Sequence, residues 1–264
     1  MSADDDIAHY YGRGEEQERL SGPSRLEFVR TKELLERHLP DPPAVVLDVG
    51  GGPGAYALWL AQRGYEVHLL DPIELHVRQA REAGVASAEI GDARSLPQAD
   101  ASADAVLLLG PLYHLQERAD RLRALEEARR VLRRGGLLAA AAISRFAPTV
   151  DGLAQGFFAD PRFERIVERS LRDGRHENPE RHPRWFTSAY FHLPGEVEEE
   201  VRAAGLDLNG VLAVEGPGEI VRDVGEWLDD PSRREALLRA IRRVEAEPTL
   251  IGASPHLLAL ARRA

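Results

Sequence analysis

The chain of 264 residues contains no cysteine, which excludes a disulfide framework, a thiolate metal site and a thiol nucleophile. It has one lysine, Lys32, so catalysis through a Tyr-x-x-x-Lys pair has nothing to draw on. No uninterrupted apolar run approaches the roughly 20 residues that cross a bilayer, and the acidic start MSADDDIAHYYGRGEEQERL lacks the apolar centre of a signal peptide. The expectation is a cytoplasmic protein without a membrane partner. Positive charge is in deficit, with a formal net charge of −10, and a field of that sign repels phosphate backbones. Nucleic acid is therefore not expected as a partner.

What the sequence does have is rhythm. After a mobile acidic start, residues 24–39 carry Leu26, Val29, Leu34 and Leu35 near helical spacing, and the prolines from Pro40 to Pro43 stop that helix. AVVLDVG then reads as a strand buried on both faces, followed by the helix AYALWLAQRG. The alternation continues through YEVHLLD, PIELHVRQAREAG, ASAEIGD, ADAVLLLG, the helix ERADRLRALEEARRVLRRGG and the strand LLAAAAIS. Strands and helices alternating at this pace predict an α/β, doubly wound, mostly parallel sheet with ligands at the carboxyl ends of the strands. The rhythm breaks after Ser144. Residues 145–193, rich in aromatic, histidine and proline residues, read as an irregular cap inserted after the fifth strand, and the pattern resumes with GEVEEEVRAAG, NGVLAVEG and HLLALAR. Four segments follow: an N-terminal helical segment over the site (1–43), a cofactor-binding core (44–144), the cap (145–193) and the remainder of the core (194–264).

The turn LDVGGGPGAY, residues 47–56, leaves the backbone bare between a strand and a helix, so a ligand can approach the main-chain amides. Gly50, Gly52 and Ala55 also satisfy a dinucleotide fingerprint, with Asp71 at the usual separation for a ribose, and a nicotinamide-dependent oxidoreductase is one reading. Three features point elsewhere. Asp48 sits inside the strand end, Asp92 ends the third strand within Gly91-Asp92-Ala93, and LLLGPLYHL brings Tyr113 and His114 off the fourth. Each acid has a plainer role open to it: Asp71 as the cap of the helix beginning at Pro72, Asp92 as a turn residue, Asp48 as a strand-end support.

Taken in order, VLDVGGGPG, EVHLLDP, EIGDARSLP, DAVLLLGPLYHL and EEARRVLRRGGLL resemble a class I S-adenosylmethionine-dependent methyltransferase over residues 44–144. The resemblance implies a Rossmann-like methyltransferase fold with seven strands, the last antiparallel and supplied by HLLALAR. It implies S-adenosyl-L-methionine as cofactor and S-adenosyl-L-homocysteine as product. It assigns Asp48 and the loop of Gly50, Gly51 and Gly52 to the methionine part, Asp71 with Pro72 to the ribose hydroxyls, Gly91, Asp92 and Ala93 to the adenine, and the Leu109 carbonyl to the ammonium group. Tyr11, with Tyr10, is expected to fold over the sulfonium, and Arg30 to pair with the methionine carboxylate.

His114 is the candidate base or acceptor-orienting group, because an imidazole exchanges protons near neutrality. Packing at a helix start is its alternative role. Tyr10, Tyr113, His182, Trp185, Phe186 and Tyr190 are expected to line the site of a small-molecule methyl acceptor, reacting through oxygen or nitrogen. No metal is expected, since the spacing of His176, His182 and His192 fits no ligand signature. A protein that binds the cofactor without transfer is the remaining alternative.

Overall fold

A computed structural model describes residues 3–12, 14, 16–22 and 24–264. The helices α1 (Ala3–Tyr11), α2 (Glu16–Arg19) and α3 (Arg25–His38) precede strand β1 (Val45–Val49). Then come α4 (Ala55–Ala61), β2 (Glu66–Asp71), α5 (Glu74–Glu82), β3 (Ser87–Ile90), β4 (Ala103–Leu108), the single turn α6 (Pro111–His114), α7 (Arg118–Val131) and β5 (Leu132–Ile143). The following stretch holds α8 (Ala147–Gln155), α9 (Pro161–Asp173) and a short ribbon of β6 (Arg175–His176) with β7 (Ala189–Tyr190). The chain closes with α10 (Pro194–Ala203), β8 (Asp207–Ala213), α11 (Val224–Asp229), α12 (Pro231–Arg242) and β9 (His256–Arg262).

Seven strands form one sheet in the order β3-β2-β1-β4-β5-β9-β8. β1 to β5 run parallel, and β9 inserts antiparallel between β5 and β8. The physical reason is visible in β1. Side chains alternate across a strand, so Leu47 and Val49 join Leu125, Ala128 and Val201 on one face, while Val46 joins Leu34, Leu60 and Val77 on the other. Both faces are covered by helices, and the strands accordingly read as continuous apolar runs. β9 repeats the pattern, with Leu257, Ala259 and Ala261 on one face and Leu258 and Leu260 on the other. Strand order reverses between β1 and β4, and that switch point opens a crevice at the carboxyl edge of the sheet.

Two expectations need correction here. The N-terminal stretch expected to be mobile forms α1, whose Asp6 carboxylate takes hydrogen bonds from Arg181 at 3.0 Å and from Ser188 at 3.2 Å. The segment read as irregular contains two regular helices. In α9, Phe163, Val167 and Ser170 fall on one buried stripe, and Asp160 caps the helix by accepting from the Arg162 amide at 2.9 Å. Among the described residues no helix is long and apolar enough to cross a membrane.

Candidate functional site

A cavity of about 420 Å³ lies over the tips of β1, β2 and β4, beneath α1 and α2. Asp48 is the most completely buried charged group in its lining. It follows Val46 on the inner face of β1, is fully buried, and neither carboxylate oxygen has a hydrogen-bond partner. Burial, reinforced by the Asp71 charge and only partly opposed by the Ala57 backbone amide, pushes its pKa up to about 7. The Ala57 backbone amide is directed at this carboxylate but too poorly placed for a full hydrogen bond, so the group can still take a donor from a ligand.

The glycine loop crosses directly above it. A Cβ on Gly51 would sit 2.7 Å from Asp48 Oδ2 and 2.8 Å from Leu69 Cδ1, so the close approach of backbone to carboxylate depends on a bare residue there. Gly52 holds φ +57°, a left-handed conformation open to glycine at little cost, and this aims its amide at Asp71 Oδ2, 2.9 Å away. Asp71 Oδ1 accepts from the Ile73 amide at 2.9 Å and is 3.1 Å from His76 Nδ1. A carboxylate has about four lone-pair sites, so three contacts leave Asp71 able to accept one more. Asp71 thus braces the turn leading into α5 and still faces the cavity.

At the β3 tip, Gly91, Asp92, Ala93 and Arg94 line the wall. The Asp92 carboxylate is gripped by Arg94, at 2.7 Å from Nη2, and these hydrogen bonds hold its pKa below the usual range. Leu109 and Pro72 also line the cavity, and the Leu109 carbonyl accepts from the Tyr113 hydroxyl at 3.2 Å.

Tyr11 closes the top. Its hydroxyl lies 2.7 Å from His114 Nε2, and its ring meets His76 and His114 edge-on, each at 5.3 Å between centroids. Burial pushes the His114 pKa down to about 4, so the imidazole is neutral at physiological pH. Phe186 stacks behind it at 5.9 Å, with Tyr10 edge-on to Phe186 at 5.6 Å.

Several expected residues stand away from this cavity. Arg30 is fully buried on the far side of α3, where it donates to the Val214 carbonyl at 2.9 Å and pairs with Glu245 at 2.6 Å, so it ties α3 to the chain after α12 and faces no ligand. Trp185 is core within residues 145–193, packed with Phe157, Phe163 and Val167, and His182 stacks on its outer face at 4.1 Å. Tyr190 lies on the Arg121 guanidinium at 3.7 Å, beside the buried Arg121–Glu200 pair. Tyr10 meets Tyr11 and Phe186 edge-on, at 5.2 and 5.6 Å between ring centroids, and does not line the cavity. Other residues were not foreseen. His76 lies one helical turn after Asp71, and Arg19, Glu16 and Glu27 enter the cavity wall from the helices before β1. Arg19 Nε meets Glu16 at 2.7 Å, and both its terminal nitrogens reach Glu27.

Residues 47–140 match the family model described as a methyltransferase domain. Residues 47–140 thus carry a methyltransferase domain, and the seven-stranded order and the crevice above are those of the class I S-adenosylmethionine-dependent methyltransferase fold. The nicotinamide reading of the glycine loop falls with that match. Among relatives, the chain is 36% identical over 114 residues to the ubiquinone/menaquinone biosynthesis C-methyltransferase UbiE of Acidiphilium cryptum, covering 40% of this chain and 44% of that one. It is 39% identical over 109 residues to the malonyl-[acyl-carrier protein] O-methyltransferase of Methylococcus capsulatus, covering 39% and 38%. The chain spans about half the length, or less, of the curated relatives it matches. A Thermotoga maritima structure described as an SAM-dependent methyltransferase, possible histamine N-methyltransferase, superimposes with a TM-score of 0.60 over 97% of this chain and 99% of that one, at 20% identity.

Proposed function

We propose that the protein transfers a methyl group from S-adenosylmethionine to the oxygen or nitrogen of a small molecule. The observation that carries this reading is the pair of unpartnered, buried Asp48 oxygens on the cavity floor. An ammonium group would complete them, and the glycine loop above leaves room for an amino-acid chain. Asp71 and Pro72 would then hold the ribose, and Gly91, Asp92 and Ala93 the adenine, with the Leu109 carbonyl on the ammonium side. Arg19, rather than Arg30, brings a guanidinium to the cavity wall near the glycine loop, and its remaining Nη2 donor would meet the cofactor's carboxylate.

When bound, the cofactor supplies a methyl group on a positively charged sulfur. The chain's task is alignment and exclusion of water. Tyr11, Tyr113 and Leu115 wall the cavity above the β4 tip, and Phe186 backs His114. With a pKa of about 4, His114 is a weak base; in the tautomer protonated on Nδ1, its Nε2, 2.7 Å from the Tyr11 hydroxyl, would orient an acceptor N–H or O–H once Tyr11 gives way. A neutral amine or a carboxylate attacks without a base. We assign residues 145–193 to the acceptor side through Phe186, and place the protein in the cytoplasm with a small-molecule partner. The relatives' names specify a carbon and an oxygen acceptor, so domain likeness leaves the acceptor to the local chemistry.

Calorimetric titration with S-adenosylhomocysteine, and with NADH as the competitor class, tests the reading. Binding of the first alone is expected, and NADH binding in its place overturns it. Accumulation of S-adenosylhomocysteine with an acceptor panel separates transfer from binding without turnover.

A further inference from the structure

The geometry points to an acceptor that carries an ammonium group, recognised at the Glu27 end of the cavity and separate from the neutral nitrogen or oxygen that takes the methyl; this rests on the methyltransferase reading above. Strand order fixes the direction. Asp71 and Asp92 follow β2 and β3 on one side of the switch point, and the nucleoside lies there. Glu27 lies at the other end: its Oε2 is 4.0 Å from Nδ1 of His256, and His256 pairs with Ile143 at the tip of β5. Beyond the cofactor's methionine part, the acceptor falls on this side, next to Tyr113.

The charges there do not cancel. Glu16, Glu27 and Glu215 face two cations, Arg19 and His256. Arg19 gives Nε to Glu16, both terminal nitrogens to Glu27, and one of these also to Ser24 at 3.1 Å, so four of its five N–H donors are taken within the chain and only one, on Nη2, is left, which the cofactor's carboxylate would use. His256 Nδ1 donates to Glu215 Oε1 at 2.6 Å. Burial works against its charge, but Glu27 and Glu215 outweigh that and hold the imidazole protonated, with a pKa of about 9. Three carboxylates against two cations leave one negative charge. The hydroxyls that face the same space, Tyr11, Tyr56 and Tyr113, are neutral, burial raising all three above their ordinary range. Glu219, behind Glu215, is itself raised by burial and by the surrounding carboxylates. Asp48, Asp71 and Asp92 are committed to the cofactor. An anion is repelled here, and a cation flanked by the rings of Tyr11 and Tyr113 is complemented.

Glu27, Glu215 and His256 also bring potential ligand atoms within 4.8 Å of one another. The imidazole nitrogen facing the carboxylates already carries a proton in its bond to Glu215, so it offers no lone pair to a metal ion.

The test uses the full chain saturated with S-adenosylhomocysteine and titrated calorimetrically with three probes of matched shape: 2-phenylethylamine, 2-phenylethanol and phenylacetate. The amine should bind at least about tenfold more tightly than the alcohol, one charge-assisted contact's worth, with phenylacetate weakest. Glu27→Gln should erase the margin. The wild-type ranking decides the matter even if that variant fails to fold. Equal or stronger binding of the alcohol or the acid, or no amine binding at millimolar concentration, overturns the cationic acceptor while leaving the cofactor site standing. Failure to bind S-adenosylhomocysteine overturns the site itself.

Discussion

Replacing Asp48 by asparagine should strengthen the ligand-free fold while weakening the site. The carboxyl is fully buried, and its pKa stands at about 7 against an ordinary 3.8. A folded pKa above the unfolded one means that the folded state binds more protons between those values. Stability is therefore fully present below about pH 4, falls as pH rises, and reaches its full loss above pH 7. Three units at 1.36 kcal/mol each make the loss about 4 kcal/mol. Asparagine is isosteric with the protonated carboxyl and leaves the same atoms unpaired, so Asp48→Asn removes the ionisation cost alone. Urea unfolding at pH 8 should show the variant more stable by up to about 4 kcal/mol, and the gap should close towards pH 4. Binding should move the other way, S-adenosylhomocysteine losing about 10- to 150-fold, the 1.5–3 kcal/mol of a hydrogen bond to a charged group. In the wild type, affinity should rise with pH through about 7; in the variant it should be flat there. Parallel stability curves for the two proteins, or unchanged affinity, would refute the account of an ionised, unpartnered acid awaiting an ammonium group.

Asp71→Ala should weaken S-adenosylhomocysteine by about 10- to 100-fold, since it removes the ribose acceptor and frees the Gly52 amide; calorimetry showing no change would contradict its role. Gly51→Ala should cost about 1–3 kcal/mol in thermal or urea unfolding, because the new methyl meets Asp48 and Leu69 inside contact distance. His114 and His176 are both buried and pushed down to about 4, so the folded state binds fewer protons than the unfolded one, and stability is lost as pH falls from about 6.5 towards 4. His114→Gln should flatten part of that slope. Glu200→Gln should cost about 3–5 kcal/mol by stranding the buried Arg121, whose Nη2 lies 2.7 Å from Glu200; a loss under 1 kcal/mol would show that the pair is solvated.

The parts of this molecule that were legible in the sequence are the ones encoded locally. Alternation of apolar runs gave β1 to β5, and a glycine loop between Asp48 and Ala55 has few uses other than close backbone approach. Asp71 and Asp92 were legible because each stands at a strand end, and strand ends in a parallel sheet converge on one edge. Arg30 was misjudged because its helix presents two faces, and only Glu245, distant in sequence, decides which one the guanidinium takes. Arg19 and Glu27 come from short or separate helices whose placement depends on tertiary packing, and no spacing rule ties them to His256. His76 could have been found, as the first inward-facing polar residue of α5 after Asp71. Within residues 145–193 aromatic content suggested a pocket, yet Trp185 spends its area on Phe163 and Val167, as a segment with its own small core must.

The most direct test is a crystal structure of the protein with S-adenosylhomocysteine. The account predicts its ammonium group on Asp48, its ribose on Asp71 and its base between Ala93 and the Asp92 carboxylate, with Tyr11 above and Glu27 beyond the sulfur. A ligand seated elsewhere on the sheet edge, or one in the cavity with Asp48 still unpartnered, would contradict it.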